Sequence, residues 1–257
     1  MHGLDLLHAA AAFGAALAAG LINSVAGGGT LVTFPTLIWL GLNSVTANAT
    51  STVAIWPGTL GSVWGYRREL RAVDPRLFWL LVPSVIGGLT GAWLLRFTSA
   101  AVFDRLIPYL LLFATVLFMV HDSVQRWMKT AQTAVRRPSH WLAGAMIFQF
   151  FVAVYGGYFG AAIGIFMLAA LGLMGLTDMH QMNGLRVLLG GAINGVAVVY
   201  FMANRMVFWP DVVLMAVGAI AGGYGGAGLA RKMGARVVRR IVIVIGFGLA
   251  VSFFVRR

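Results

Sequence analysis

Long apolar runs divided by short polar stretches organise this chain. No Asp, Glu, Lys or Arg occurs over residues 6–66, a run of 61. At about 20 residues per membrane-spanning helix, that run holds about three spans. Residues 77–95 form a fourth segment, and 106–120 a fifth, extended by 97–103 at an interface. Residues 138–177 are uncharged for 40 positions and hold about two more spans at the same length. Residues 187–204, 212–230 and 241–255 complete a set of ten. Five segments precede the polar stretch 121–140 and five follow it. The pattern predicts an all-α, polytopic membrane bundle with an N-terminal membrane repeat at 1–120, a basic cytoplasmic linker at 121–140 and a C-terminal membrane repeat at 141–257.

Sliding the sequence on itself by 135 positions aligns marks that chance does not readily supply. Gly29 meets Gly164, Asn48 meets Asn183, and Pro75 meets Pro210. Gly87, Gly88 and Gly91 meet Gly222, Gly223 and Gly226, while Arg96 and Arg105 meet Arg231 and Arg240. Two halves of five crossings each are inverted relative to one another, because five is odd. Inverted repeats are a common plan of secondary transporters, with the site at the repeat interface. Short, glycine-interrupted segments at matching places in the two halves point to that site. Here they are 27–42 and 160–176, whose apolar parts, 30–42 and 163–176, fit either short crossings or re-entrant hairpins.

Charge bears on that choice. With ten crossings, 13 basic residues fall on one side and 5 on the other, leaving Arg186 inside a span. With eight, the split is 11 to 7. The excess of basic residues in cytoplasmic loops favours ten crossings and places both termini in the periplasm. The first five residues lack the basic region of a signal peptide, so the first apolar run is expected to remain as a span.

Composition narrows the class. The chain of 257 residues is 60% hydrophobic and 10% charged, too few charges for the surface of an ordinary cytosolic enzyme. The net charge of +12 would suggest nucleic acid in a soluble protein. In an apolar chain it reads as topology signal and contact with anionic lipid, and no nucleic acid partner is expected. There is no cysteine, and the 5 histidines lack metal-ligand spacing, so no metal or other cofactor is expected. None of the 7 acids lies deep in a segment, which argues against a carboxylate proton relay. No nucleophile elbow, zinc helix or phosphate loop occurs, so an enzyme is not expected.

Candidate site residues follow from the breaks and the polar strings. Gly27, Gly28, Gly29 and Thr30 sit where the first span should end. Broken backbone before a new helix exposes N–H donors that suit an anion. Glycines also let helices pack closely, so both readings stand. Gly160 and Gly164 are the looser second-half counterpart. Asn48, Ser51 and Thr52 share one helical face and could bind an oxyanion or bond a neighbouring helix. Asn183 and Arg186 share the matching face, with Asn194 further along. A charge inside a span is a functional-site hypothesis by default, and guanidinium matches the oxygens of carboxylate, sulfo and phospho groups. The alternatives for Arg186 are snorkelling to the cytoplasmic side or pairing with Asp178.

The string from Asn23 to Pro35 (NSVAGGGTLVTFP), with Ala47-Asn48-Ala49-Thr50 and Trp64-Gly65-Tyr66-Arg67, resembles the TauE/SafE group of sulfite exporters. Val154 to Gly164, Thr177-Asp178, Met182-Asn183 and Asn194-Gly195 are similar too. The resemblance covers nearly the whole chain. It implies an inner-membrane carrier for small anions such as sulfite, sulfoacetate or related sulfonates. Relatives often place Lys where this chain has Arg186, which keeps the positive charge. A homodimer is a candidate assembly. An anion channel and a non-transporting membrane scaffold are the alternative functions.

Overall fold

A computed structural model describes the backbone of residues 6–25, 28–131, 141–174, 176, 178–233 and 235–255. The described elements are helical, with no strand among them. The first half contains α1 (Leu6–Val25), α2 (Thr30–Trp39), α3 (Ser44–Gly65), the surface turn α4 (Arg67–Arg71), a 3-10 turn at Pro75–Leu80, α5 (Leu81–Phe97) and α6 (Ala100–Ala131). The second contains α7 (Trp141–Tyr158), α8 (Ile163–Leu173), α9 (Met179–Ala203), α10 (Trp209–Met233) and α11 (Ala235–Val255). Four of these stretches are long and apolar enough to cross a membrane: Leu6–Asn23, Pro75–Phe97, Ala100–Val120 and Met179–Ala203. Residues 132–140 of the predicted linker fall outside the described residues. Its first part, up to Ala131, continues α6.

Local chemistry sets the boundaries. Asn43 caps α3 by accepting from the Thr46 amide at 2.9 Å. Asp74 accepts from the Arg76 amide at 3.0 Å and, with Pro75 behind it, opens the 3-10 turn. Asp178 accepts from the amides of His180 and Gln181 and caps α9. Helix α9 therefore starts well before position 187 and takes in Asn183 and Arg186. Helices α2 and α8, with 10 and 11 residues, are about 15 and 16 Å long, roughly half the hydrocarbon thickness.

The two halves start their helices in step. Adding the repeat offset of 135 to the first residues of α1, α3 and α6 gives those of α7, α9 and α11. Pairing follows the same rule. Helix α1 packs on α10 and α7 on α5, while α3 lies beside α10 and α9 beside α5. Helix α2 touches α11 as α8 touches α6, and the pairs α3–α9 and α6–α11 map onto themselves. Each spatial cluster thus combines the first three helices of one half with the last helices of the other.

Glycines make the two main seams. A side chain on Gly222 would meet the Leu17 carbonyl, and one on Gly20 the Ala219 carbonyl. Gly91 abuts the Val154 carbonyl, and Gly157 that of Gly88. Such backbone approach suits helices that associate without a hydrophobic driving force. Phe13 lies at Gly218 and Leu17 at Gly222, so α1 and α10 run parallel. Ser84 bonds Gln149 at 2.8 Å and Gly91 touches Val154, so α5 and α7 are parallel as well. Helix α3 runs antiparallel to α9. Trp56 packs at Gly195, Thr59 and Val63 at Gly191, and Tyr66 at Gly184.

Candidate functional site

A cavity of about 710 Å³ lies where the two short helices begin. Its wall includes Gly28 and Thr30 at the start of α2, Gly160 to Gly164 leading into α8, and Arg186 and Asn194 on α9. Helices α1, α3 and α10 complete it through Asn23, Pro57 and Ala219 among others. The interface between the two helix clusters therefore holds both chain breaks and the charge read from the sequence.

The second break is held open by backbone geometry. Gly160 has φ +79° and Ala162 +65°, two left-handed residues that turn the chain from the end of α7 into α8. The first amides of any helix lack intrahelical acceptors, and here the first turn of α8 borders the cavity. Arg186 crosses that turn. A β-carbon at Gly164 would lie 2.8 Å from its Nη1 and 3.0 Å from its Cδ. The Nε of Arg186 is buried without a hydrogen-bond partner. The Asp178 carboxylate caps α9, and no ion pair between it and Arg186 occurs among the described residues. Asn194 also carries a buried, unpartnered Oδ1 on the same wall.

At the first break, the Oδ1 of Asn23 accepts from the amides of both Gly28 and Gly29 at 2.8 Å. Gly28 packs against the Phe118 ring, and Gly29 against the Ala19 carbonyl and methyl. These two amides serve an internal bond. Gly27 lies outside the described residues. Sequence reasoning included Asn23 in the resemblance but not in the site. The available signal was a short polar side chain four residues before a glycine run, within reach of its amides.

The polar string on α3 is buried but lies off the cavity. Asn48 donates to the Tyr158 carbonyl at 3.0 Å, and the hydroxyls of Ser51 and Thr33 pair at 2.6 Å. Thr52 donates to the Asn48 carbonyl at 2.9 Å. Asn183 donates back to the Met179 carbonyl at 2.8 Å and is also off the wall. Of the residues read as a binding set, the structure brings Gly28, Thr30, Gly160, Gly164, Arg186 and Asn194 together. It places Gly29, Asn48, Ser51, Thr52 and Asn183 in the surrounding packing. Sequence reasoning also missed Trp56, whose indole donates to the Gly191 carbonyl at 3.0 Å and ties α3 to α9 beside the cavity.

The model of the family described as "Sulfite exporter TauE/SafE" matches residues 12–253. The chain belongs to the TauE/SafE family. It is 26% identical to a "Probable membrane transporter protein" of Haemophilus influenzae over 247 residues, 95% of this chain and 93% of that one. It is 25% identical to "Probable membrane transporter protein YfcA" of Escherichia coli K12, over 91% of this chain and 84% of the relative. A Sinorhizobium "Probable membrane transporter protein ORF9" is 24% identical over 93% and 89%. No solved structure matches this TauE/SafE chain. The family and these relatives make it a membrane transporter.

Proposed function

We propose that the chain carries small sulfur-containing anions, such as sulfite or organosulfonates, across the inner membrane, as an exporter. The carrying observation is Arg186, a guanidinium without a carboxylate partner on the wall of a cavity at the cluster interface. It supplies the charge, and the first turn of α8 supplies amide donors and the positive end of a helix dipole. Asn194 and Thr30 add polar groups, and the remaining lining is mostly glycine and aliphatic. The name of the matched family favours sulfite and its relatives among the anions that such a site would accept.

Two inverted repeats with ten crossings and periplasmic termini are the topology that fits this reading. Its support is the common helix spacing, the exchange symmetry of the pairs and the antiparallel α3–α9 contact. If α8 turned back instead of crossing, α9 would run parallel to α3. Alternating access then comes from rocking of two bodies, each built from α-helices of both halves, around the cavity.

The test is flux of sulfite and sulfoacetate in proteoliposomes, with Arg186→Ala beside the wild type. Saturable wild-type flux and a steep fall of flux at low substrate concentration in a correctly inserted variant are expected. Undiminished flux in Arg186→Ala would overturn the site, and flux at single-channel levels would overturn the carrier. Thermal stabilisation by sulfite, thiosulfate, sulfoacetate and taurine ranks the anions, since a bound ligand raises the melting temperature with its concentration.

A further inference from the structure

The polar string on α3 continues the helix face that lines the cavity. Ile55, Thr59 and Ser62 are on the wall, and Asn48, Ser51 and Thr52 extend that stripe toward the start of the helix, in steps of three and four. The two ends of the stripe differ in cover. Asn48, Ser51 and Thr52 are buried. Beyond Pro57, Gly58, Gly61 and Ser62 are exposed, and a β-carbon at Gly58 or Gly61 would meet nothing within 4 Å.

The cover over the string comes from α2 and the end of α7. Thr33 pairs with Ser51, and the Tyr158 carbonyl accepts from Asn48. The next residues along, Phe34 and Phe159, meet edge to face at 5.5 Å. Phe103 of α6 packs on both, at 6.2 and 6.4 Å. All three rings are buried.

The repeat offset relates the covered end to the open one. Ile55 and Gly190, Thr59 and Asn194, and Gly28 and Ile163 are pairs 135 apart with both members on the wall. The Trp56 indole bonds its own counterpart, Gly191. An axis that exchanges the two halves would pass here. Three further wall residues, Arg186, Asn23 and Ala219, have Ser51, Tyr158 and Ser84 as counterparts, and none of these is on the wall. The cavity therefore extends to one side of that axis, and the polar string occupies the matching place on the other.

Packing alone does not explain the string. The Oδ1 of Asn48 and the hydroxyls of Ser44 and Tyr155 are buried without a hydrogen-bond partner. Such groups are costly away from water, and water admitted along this face would satisfy them. Tyr155 is also the counterpart of Gly20, another wall residue.

We propose that Asn48, Ser51, Thr52 and Tyr155 line a second access path, closed in this structure and opened when the two halves exchange conformations. The proposal rests on the two-repeat, alternating-access reading above, and not on the identity of the anion. The exchange parts the Phe34–Phe103–Phe159 cover and closes the end of α3 beyond Pro57. Ser51 stands where Arg186 stands on the open side. The second path thus offers hydroxyls without a fixed charge, which suits release of an anion.

The chain holds no cysteine, so an introduced one reports its own position. The test is labelling of Gly58→Cys and Ser51→Cys in uniformly oriented proteoliposomes, with a membrane-impermeant methanethiosulfonate outside or trapped inside. Gly58→Cys should react fast from one face. Ser51→Cys should react from the opposite face only, about 10- to 1,000-fold more slowly, because a minor state holds about 0.1–10% of the molecules. Gly61→Trp, a wedge in the open end, should slow Ser51→Cys labelling about tenfold, on the scale of a buried steric clash. Labelling of Ser51→Cys from the Gly58 face, from neither face, or at a rate that ignores the wedge overturns the proposal. If Ser51→Cys does not fold, Thr52→Cys decides by the same outcomes. No anion is needed, so a wrong choice of anion leaves the result unmoved. Arg186→Ala, which tests that choice, should cut flux and keep the sidedness of labelling.

Discussion

The two chain breaks, before α2 and before α8, are built differently. At the first, Asn23 takes the amides of Gly28 and Gly29, and the glycines pack against Phe118 and Ala19. At the second, left-handed Gly160 and Ala162 turn the chain, and Arg186 lies over Gly164. The first break is closed on itself by a side chain from its own helix. The second brings a fixed charge from α9 to the first turn of α8. Two frames in step by the same 135-residue offset thus carry unlike chemistry.

The largest effect expected from this contrast is at Arg186. Hydrogen bonds to charged groups contribute about 1.5–3 kcal/mol, so Arg186→Ala should raise the half-saturation concentration about 10- to 100-fold. Concentration-dependent flux in proteoliposomes reads this directly, and equal values for variant and wild type would remove the asymmetry.

Gly164→Val comes next. Its β-carbon would collide with the flexible end of Arg186 rather than with backbone. Transport should fall about tenfold, on the scale of a mispositioned charged bond, with the melting temperature nearly kept. A large drop in melting temperature with normal flux would show that Gly164 serves packing alone.

Asn23→Ala tests the other break. It leaves two amides without their acceptor, a loss of about 1–3 kcal/mol in stability. Thermal unfolding should show that loss while substrate affinity changes little. A strong affinity defect at normal stability would move the anion toward the first break.

The smallest effect is expected at the left-handed pair. Alanine in that conformation costs about 1–2 kcal/mol, partly offset by the extra freedom of glycine in the unfolded chain. Ala162→Gly should therefore be neutral or stabilising by less than about 1 kcal/mol, and Gly160→Ala destabilising by a similar amount. Opposite signs in the two melting curves support this account of the turn, and a destabilised Ala162→Gly would reject it.

Much of the fold was legible in the sequence, because membrane helices declare themselves through uncharged runs. The short segments after the glycines appear as α2 and α8, and the 135-residue offset reappears in the helix starts. Ends were less legible where polar chemistry, not hydropathy, decides them. Asp178 starts α9 early, and α6 runs on to Ala131 through residues that read as linker.

The cavity wall was legible where charge or glycine marks it, as at Arg186, Gly160 and Gly164. The string Asn48, Ser51 and Thr52 shows why the rest was not. Spacing puts these groups on one face, but only packing reveals that Thr33 and Tyr158 cover it. The same limit hid the partner of Asp211, His8, which lies 203 positions away in α1.

The exchange of helices between halves also constrains how the protein is made. Helix α1 closes against α10, and 183 residues separate the end of one from the start of the other. At about 5–20 residues per second, α1 waits about 10–40 s after its own synthesis for that seam. During this interval, the glycine-lined face of α1 lies against lipid or the insertion machinery. The N-terminal half is therefore a poor stand-alone folding unit, and truncation after α6 should leave a product for quality-control proteases.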